Sequence, residues 1–229
     1  DAVSEYAAAV KFQSACFERL GSAGVDLLGS LRQQASEAGL QVILDAKRGD
    51  IGISAAHYAA AATVDGPCDW ITVNPYLGVD GIKPFLDAGL GVFGLVRTSN
   101  PSGDVIQRQS LNDGRMISEL IADLFHILGE QYLGDAGWSS FGAVVGATKS
   151  DEAIALRQHM PNQIFLMPGV GAQGGRPEDV SPCFADGHGA IVPASRSIIY
   201  ASGDGLDWQE AIAQAAASLA SELRVGGVA

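Results

Sequence analysis

The sequence predicts a (β/α)8 barrel, and three observations predict it. Short apolar, β-branched runs alternate with helical patterns along the whole chain. The runs begin mostly about 20 to 35 residues apart, the size of a strand–helix–strand unit. Each run ends in glycine, proline, asparagine or aspartate, which breaks the strand before the next helix. An open doubly wound sheet would share these features, so the strand count matters. Seven strands are expected, at 9–12, 41–47, 71–76, 91–98, 142–148, 164–169 and 190–196. Helical patterns fall near 13–20, 25–38, 51–63, 79–88, 114–132, 150–158, 177–184 and 207–224. The last is the clearest: Asp207 and Glu210 stand in capping-box spacing, and Trp208, Ile212, Ala215, Ala216 and Leu219 recur at helical period. A barrel needs an eighth strand. Residues 1–9 read as a helical pattern feeding a strand, so the first strand is expected to precede Asp1. With no linker, repeat or low-complexity stretch, residues 1–229 read as one domain.

Composition narrows the function. The 229 residues are 47% hydrophobic and 17% charged, the balance of a folded globular chain. Twenty-six acidic residues against fourteen basic ones give a net charge of −12, which repels a phosphate backbone and argues against nucleic-acid binding. Any anionic ligand must be held by a few local cations and amides. No apolar run reaches the roughly 20 residues that span a bilayer, so no membrane role is expected. Three scattered cysteines, Cys16, Cys68 and Cys183, suit a reducing cytoplasm rather than a disulfide framework. His57, His126, His159 and His188 stand in no metal-ligand spacing, and no metal is expected.

Barrel chemistry sits at the C-terminal ends of the strands. There the chain carries Lys11, then Asp45, Lys47 and Asp50, then Asn74, then Thr98 and Ser99. In Asp45-Ala46-Lys47-Arg48-Gly49-Asp50, strand alternation puts Asp45 and Lys47 on one face. An ordinary ion pair at a strand end would account for these two. With Lys11 at a neighbouring strand end, two lysines and two aspartates converge, and such alternating charge suits handling a carboxylate or carbanion. Residues 169–174, GVGAQG, formally match a dinucleotide fingerprint, but no ribose-binding acid follows where that motif needs one. The better reading is a barrel phosphate site, with glycine amides, Gln173 and Arg196 as its donors.

The segments LDAKRGDIG, VKFQSACFE, TVNPYLG, VRTSNP, VVGAT, PGVGAQGG and SRSIIY together resemble orotidine 5′-phosphate decarboxylase, in its longer bacterial branch. The resemblance runs over essentially the whole chain. It implies a homodimeric, cytoplasmic barrel with shared active sites and no metal or organic cofactor. The implied activity is a carboxy-lyase reaction that converts orotidine monophosphate to UMP and CO2 in pyrimidine biosynthesis. A charged tetrad is implied at Lys11, Asp45, Lys47 and the partner's Asp50, with Lys47 protonating C6 of the pyrimidine. Ser99 is implied as a pyrimidine contact, and Gln173 and Arg196 as the phosphate grip. Ser54 stands where the family usually has threonine, and keeps the substrate-binding hydroxyl. Phe12 replaces a common proline, and Ser195 replaces a glycine in many relatives. The expected missing strand would carry an aspartate that contacts the ribose.

Two other functions compete. A metal-dependent sugar-phosphate decarboxylase or synthase of the same suprafamily would place a metal-binding glutamate where this chain has Lys11. A catalytically silent ligand-binding barrel would have no reason to keep all four tetrad residues.

Overall fold

A computed structural model describes residues 1–171, 173–203 and 205–225. The chain divides into two compact units: Asp1 with Ala7–Leu95, and Ala2–Tyr6 with Val96–Ala229.

The first unit begins with strand β1 (Ala9–Gln13) and helices α1 (Ser14–Glu18) and α2 (Ser22–Glu37). It continues through β2 (Gln41–Arg48), α3 (Gly52–Val64), β3 (Trp70–Val73), α4 (Lys83–Asp87) and the start of β4 (Gly91–Arg97). β1, β2, β3 and β4 pair in that order, all parallel. Parallel strands covered by their own crossover helices become apolar runs. Val42, Ile43 and Leu44 of β2 and Val92 and Phe93 of β4 are accordingly buried. α3 turns Ala55, Ala59 and Ala62 inward at helical spacing. The buried Arg32 of α2 donates to the carbonyls of Ala62, Gly66 and Pro67, capping the C-terminal end of α3 with a cation.

The second unit carries α5 (Asp104–Gln107), α6 (Ile117–Gly129), β5 (Ser139–Val145), α7 (Ser150–His159) and β6 (Gln163–Leu166). After these come α8 (Pro177–Val180), β7 (Ala190–Ile191), α9 (Arg196–Ile199) and α10 (Trp208–Val225). β5, β6 and β7 are again parallel neighbours. Phe125 of α6 packs on Phe141 of β5, ring centres 4.3 Å apart. Arg157 lies 3.7 Å over the Phe165 ring and donates to the carbonyls of Met160, Gln163, Cys183 and Gly189. Burial pushes its guanidinium down to about 10. Strands in chain order with helical returns are the repeat of the expected (β/α)8 class.

Several boundaries depart from expectation. Residues 2–6 form turns, not a helix, because Ala8 already lends its carbonyl to Gln41 and leaves too few residues to nucleate one. The run at 71–76 stops at Val73, where the Asn74 side chain accepts the Tyr76 amide and starts a short 3-10 turn at Pro75. The run at 142–148 lies earlier, at Ser139–Val145, since Gly146 and Lys149 close a turn. The run at 190–196 shrinks to two residues because Pro193 cannot donate to a ladder. The capping box of α10 forms, with Glu210 N donating to Asp207 Oδ1 at 2.8 Å, yet Trp208 is 69% exposed and Ala211 is the residue buried there.

A test of the packing lies at Gly91, where an added Cβ would sit 2.5 Å from the Trp70 ring that stacks on Phe93. Gly91→Ala is expected to lower stability by about 1–3 kcal/mol, read as a lower urea midpoint at unchanged slope.

Candidate active site

The first unit brings three of the predicted residues into direct contact. Lys11 leaves β1 and Asp45 leaves the adjoining β2, where Gln13 is paired with Asp45. Lys11 Nζ donates to Asp45 Oδ2 at 2.7 Å, and Lys47 Nζ donates to Asp45 Oδ1 at 2.5 Å. A third donor lies outside the sequence expectation: the Thr72 hydroxyl of β3 reaches Asp45 Oδ1 at 3.0 Å. Burial pushes the Asp45 carboxyl up, but Lys11 and then Lys47 outweigh it and hold it below its ordinary value. The carboxylate therefore stays ionised at neutral pH, with two ammoniums fixed on it.

Lys47 departs from the strand geometry that sequence alternation assumes. Its φ is +46°, in the left-handed region that lysine seldom occupies. Pairing of β2 with β3 slips between Leu44 and Arg48, so the chain bulges at the lysine. Thr72 holds the bulge by accepting the Lys47 amide at 2.8 Å. One buried hydroxyl thus fixes both the backbone of Lys47 and the carboxylate that its side chain meets. The lysine side chain stays about half exposed (49%), against 7% for Asp45, so the ammonium has an open side.

Asp50 is not part of this contact set. Its Oδ1 accepts the neighbouring Ile51 amide at 2.8 Å, and among the described residues no hydrogen bond or ion pair joins it to Lys11 or Lys47. Ser54 sits half-buried in the first turn of α3. Ile51, Ile53, Tyr76 and Leu77, near Asp50 in the chain or in the turn after β3, are exposed apolar side chains.

The second unit holds the remaining predicted residues. Ser99 follows β4, half-buried. The glycine loop is folded on itself, with Gly171 N bonded to Gly175 O at 2.7 Å and Gly175 N to Gly169 O at 3.0 Å. Gly169, Gly171 and Gly174 have φ of +120°, +76° and +91°, a path closed to residues with a Cβ. Ser197, one residue into α9, lies 4.0 Å from the Cβ position of Gly171, so this loop and the start of α9 adjoin. A cleft of about 540 Å3 opens beside them, lined by Gly171, Gly174, Ala194, Ser197, Ser218 and Arg176 among others. Gln173 and Arg196 are exposed and are not among its lining residues, whereas Arg176, which no sequence motif marks, is.

Two ammoniums on one carboxylate leave an excess of positive charge beside an exposed ammonium. That arrangement favours an anionic substrate group and can deliver a proton to developing negative charge. Among the described residues no group of three or more His, Cys, Asp or Glu side chains is placed to hold a metal ion. No helix among them is long and apolar enough to cross a membrane.

Comparison with known proteins agrees with this chemistry. The family model for orotidine 5′-phosphate decarboxylase / HUMPS matches residues 1–211. Orotidine 5′-phosphate decarboxylase of Rhodopirellula baltica is 40% identical, the alignment covering 98% of this chain and 80% of that protein. The Deinococcus radiodurans protein of the same name is 44% identical, over 89% of this chain and 75% of its own length. Among solved structures, Leishmania donovani OMP decarboxylase superposes with a TM-score of 0.84 at 31% identity, covering 98% of this chain and 83% of that one. A match over nine-tenths of the chain, from the Lys–Asp–Lys cluster to the glycine loop and beyond, is not a shared fold alone: the chain belongs to the orotidine 5′-phosphate decarboxylase / HUMPS family.

Proposed function

We propose that this chain decarboxylates orotidine 5′-monophosphate to UMP and CO2, with Lys47 as the proton donor. The observation that carries the reading is Lys11 of β1 bonded to the buried Asp45 of β2, which also accepts from Lys47. A metal-dependent relative needs an acid where Lys11 stands, and an ammonium there repels a divalent ion.

The reaction breaks the bond between C6 and the carboxylate, and CO2 departs without the electron pair. The pair stays on C6, where the ring delocalises it poorly. The Lys47 ammonium lies against that charge, lowers the barrier, and gives its proton to C6; the neutral amine then regains a proton from water. Asp45, itself held by Lys11, aims the ammonium. Gln173 and Arg196 are assigned to the phosphate, Ser99 to the pyrimidine and Ser54 to the substrate through its hydroxyl. Binding energy at the phosphate, remote from C6, is then available to the chemical step. Residues 1–229 act as one domain in this reading.

A homodimer with shared sites completes it. Within one subunit the cluster carries two positive charges and one negative. Asp50 of a second copy would neutralise it, and the exposed Ile51, Ile53, Tyr76 and Leu77 supply apolar surface for a two-fold contact.

Three outcomes test these assignments. Protein mixed with orotidine monophosphate in EDTA should change the pyrimidine ultraviolet band; no change sinks the decarboxylase reading, and activity lost to EDTA points to a metal-dependent reaction. Arg196→Ala should weaken UMP binding by about 1.5–3 kcal/mol and leave uridine binding unchanged, as calorimetry would show. Lys47→Ala and Asp50→Ala should each be inactive alone. After subunit exchange, about half the dimers are mixed and each has one intact site, so roughly a quarter of wild-type activity should return. If exchange is demonstrated and none returns, Asp50 serves its own subunit.

A further inference from the structure

The loop after β4 carries Ser99, and it is held by a buried cation that no part of the proposed chemistry uses. Arg97, the last residue of β4, is fully buried. Its Nε donates to Glu152 Oε2 of α7 at 2.5 Å, and its Nη2 to Glu152 Oε1 at 3.2 Å and to Asp104 Oδ1 of α5 at 2.7 Å. Asp104 takes a second cation, Lys149 Nζ, at 3.0 and 3.1 Å. Arg97 and then Lys149 hold its carboxyl below the ordinary range. Held by two carboxylates, the guanidinium is a fixed post rather than a mobile group.

The fourth arm of that post reaches toward Ser99. Arg97 Nη1 donates to Gln107 Oε1 at 3.1 Å. The same Gln107 oxygen accepts the Thr98 amide at 2.9 Å, while Gln107 Nε2 donates to the Thr98 hydroxyl at 2.8 Å. The glutamine therefore grips residue 98 at its backbone and its side chain, one residue before Ser99. Gly103 lets the grip close: a Cβ there would lie 2.8 Å from Thr98 Oγ1 and 3.2 Å from Gln107 Nε2. From the other side, Gly146 N bonds to Arg97 O at 2.6 Å. A Cβ on Gly146 would fall 2.8 Å from Ser99 N, 2.9 Å from its Cα and 3.0 Å from its Cβ. Ser99 thus packs directly on Gly146 and is anchored through the preceding Thr98.

We propose that Gln107 and Gly146 are positioning residues for Ser99: the Arg97-anchored amide of Gln107 and the bare face of Gly146 fix the serine where its hydroxyl meets the pyrimidine. This rests on the decarboxylase reading and on Ser99 as the pyrimidine contact. Neither residue is asked to touch substrate. Their effect should be felt by ligands that carry the base and not by those that lack it.

The test compares UMP with ribose 5-phosphate in Gln107→Ala, Gly146→Ala, Ser99→Ala and the two double variants, with thermal melts to verify folding. Gln107→Ala leaves Arg97 with both carboxylates, and Gly146→Ala displaces Ser99 by contact instead of by release, so either variant alone suffices if the other does not fold. Each single variant should weaken UMP roughly three- to tenfold, the scale of one hydrogen bond, and change ribose 5-phosphate less than about twofold. In the Ser99→Ala background, adding Gln107→Ala or Gly146→Ala should cause no further loss. Losses that add in full to that of Ser99→Ala, or that fall equally on both ligands, overturn the clamp and leave the decarboxylase reading standing. Wild-type UMP affinity in an active Ser99→Ala enzyme overturns the serine's role and the clamp together. Absence of decarboxylation by the unsubstituted protein overturns both this inference and the reading beneath it.

Discussion

The charged cluster of the first unit depends on one carboxylate. Asp45 is buried, and a buried carboxylate without partners would take up a proton. Lys11 and Lys47 prevent that, and in return Asp45 tethers two ammoniums that would otherwise repel each other. Thr72 adds a neutral bond to the same oxygen that Lys47 uses, which fixes where the lysine's charge sits without cancelling it. Three strands meet in this arrangement, so the register of the sheet sets the geometry of the cluster.

The second unit solves a similar problem with different parts. Residues 98–100 join β4 to the short helical turns that begin at Pro101, and such connections are mobile unless something ties them. Here the tie is a fully buried guanidinium with two carboxylates and an amide. The glycine loop after β6 is stiffened instead by backbone bonds between its own residues, in conformations open to glycine. In both units the groups expected to meet a ligand are fixed by hydrogen bonds within the protein itself.

Much of this is legible from residue types and spacing. Lys11, Asp45 and Lys47 stand out because an apolar strand has little cause to end in charge unless a partner or a ligand meets it there. The strands themselves are legible because parallel strands are apolar throughout. Thr72 is not legible: within WITV a threonine reads as β propensity, and its partners lie in another strand. Arg97 likewise reads as a strand residue, since its partners come from two later helices, Asp104 and Gln107 from α5 and Glu152 from α7. The left-handed turn at Lys47 escapes sequence reasoning because period-two alternation gives the right face by the wrong path. Periodicity alone places Trp208 on the packed face of α10, and its exposure shows that periodicity does not say where a helix starts to be covered.

The backbone at position 47 has a bearing on how such a chain would drift over generations. A lysine at φ +46° is strained where glycine or asparagine would be at ease, and its ammonium adds a second positive charge to a crowded carboxylate. Selection for folding alone would therefore erode this side chain early, before the apolar strands around it. On the proposed reading of Lys47, a copy of the gene released from catalytic duty would lose its lysine at this turn while keeping its strands. On that reading, what keeps a strained lysine at this turn is its function and not the stability of the fold.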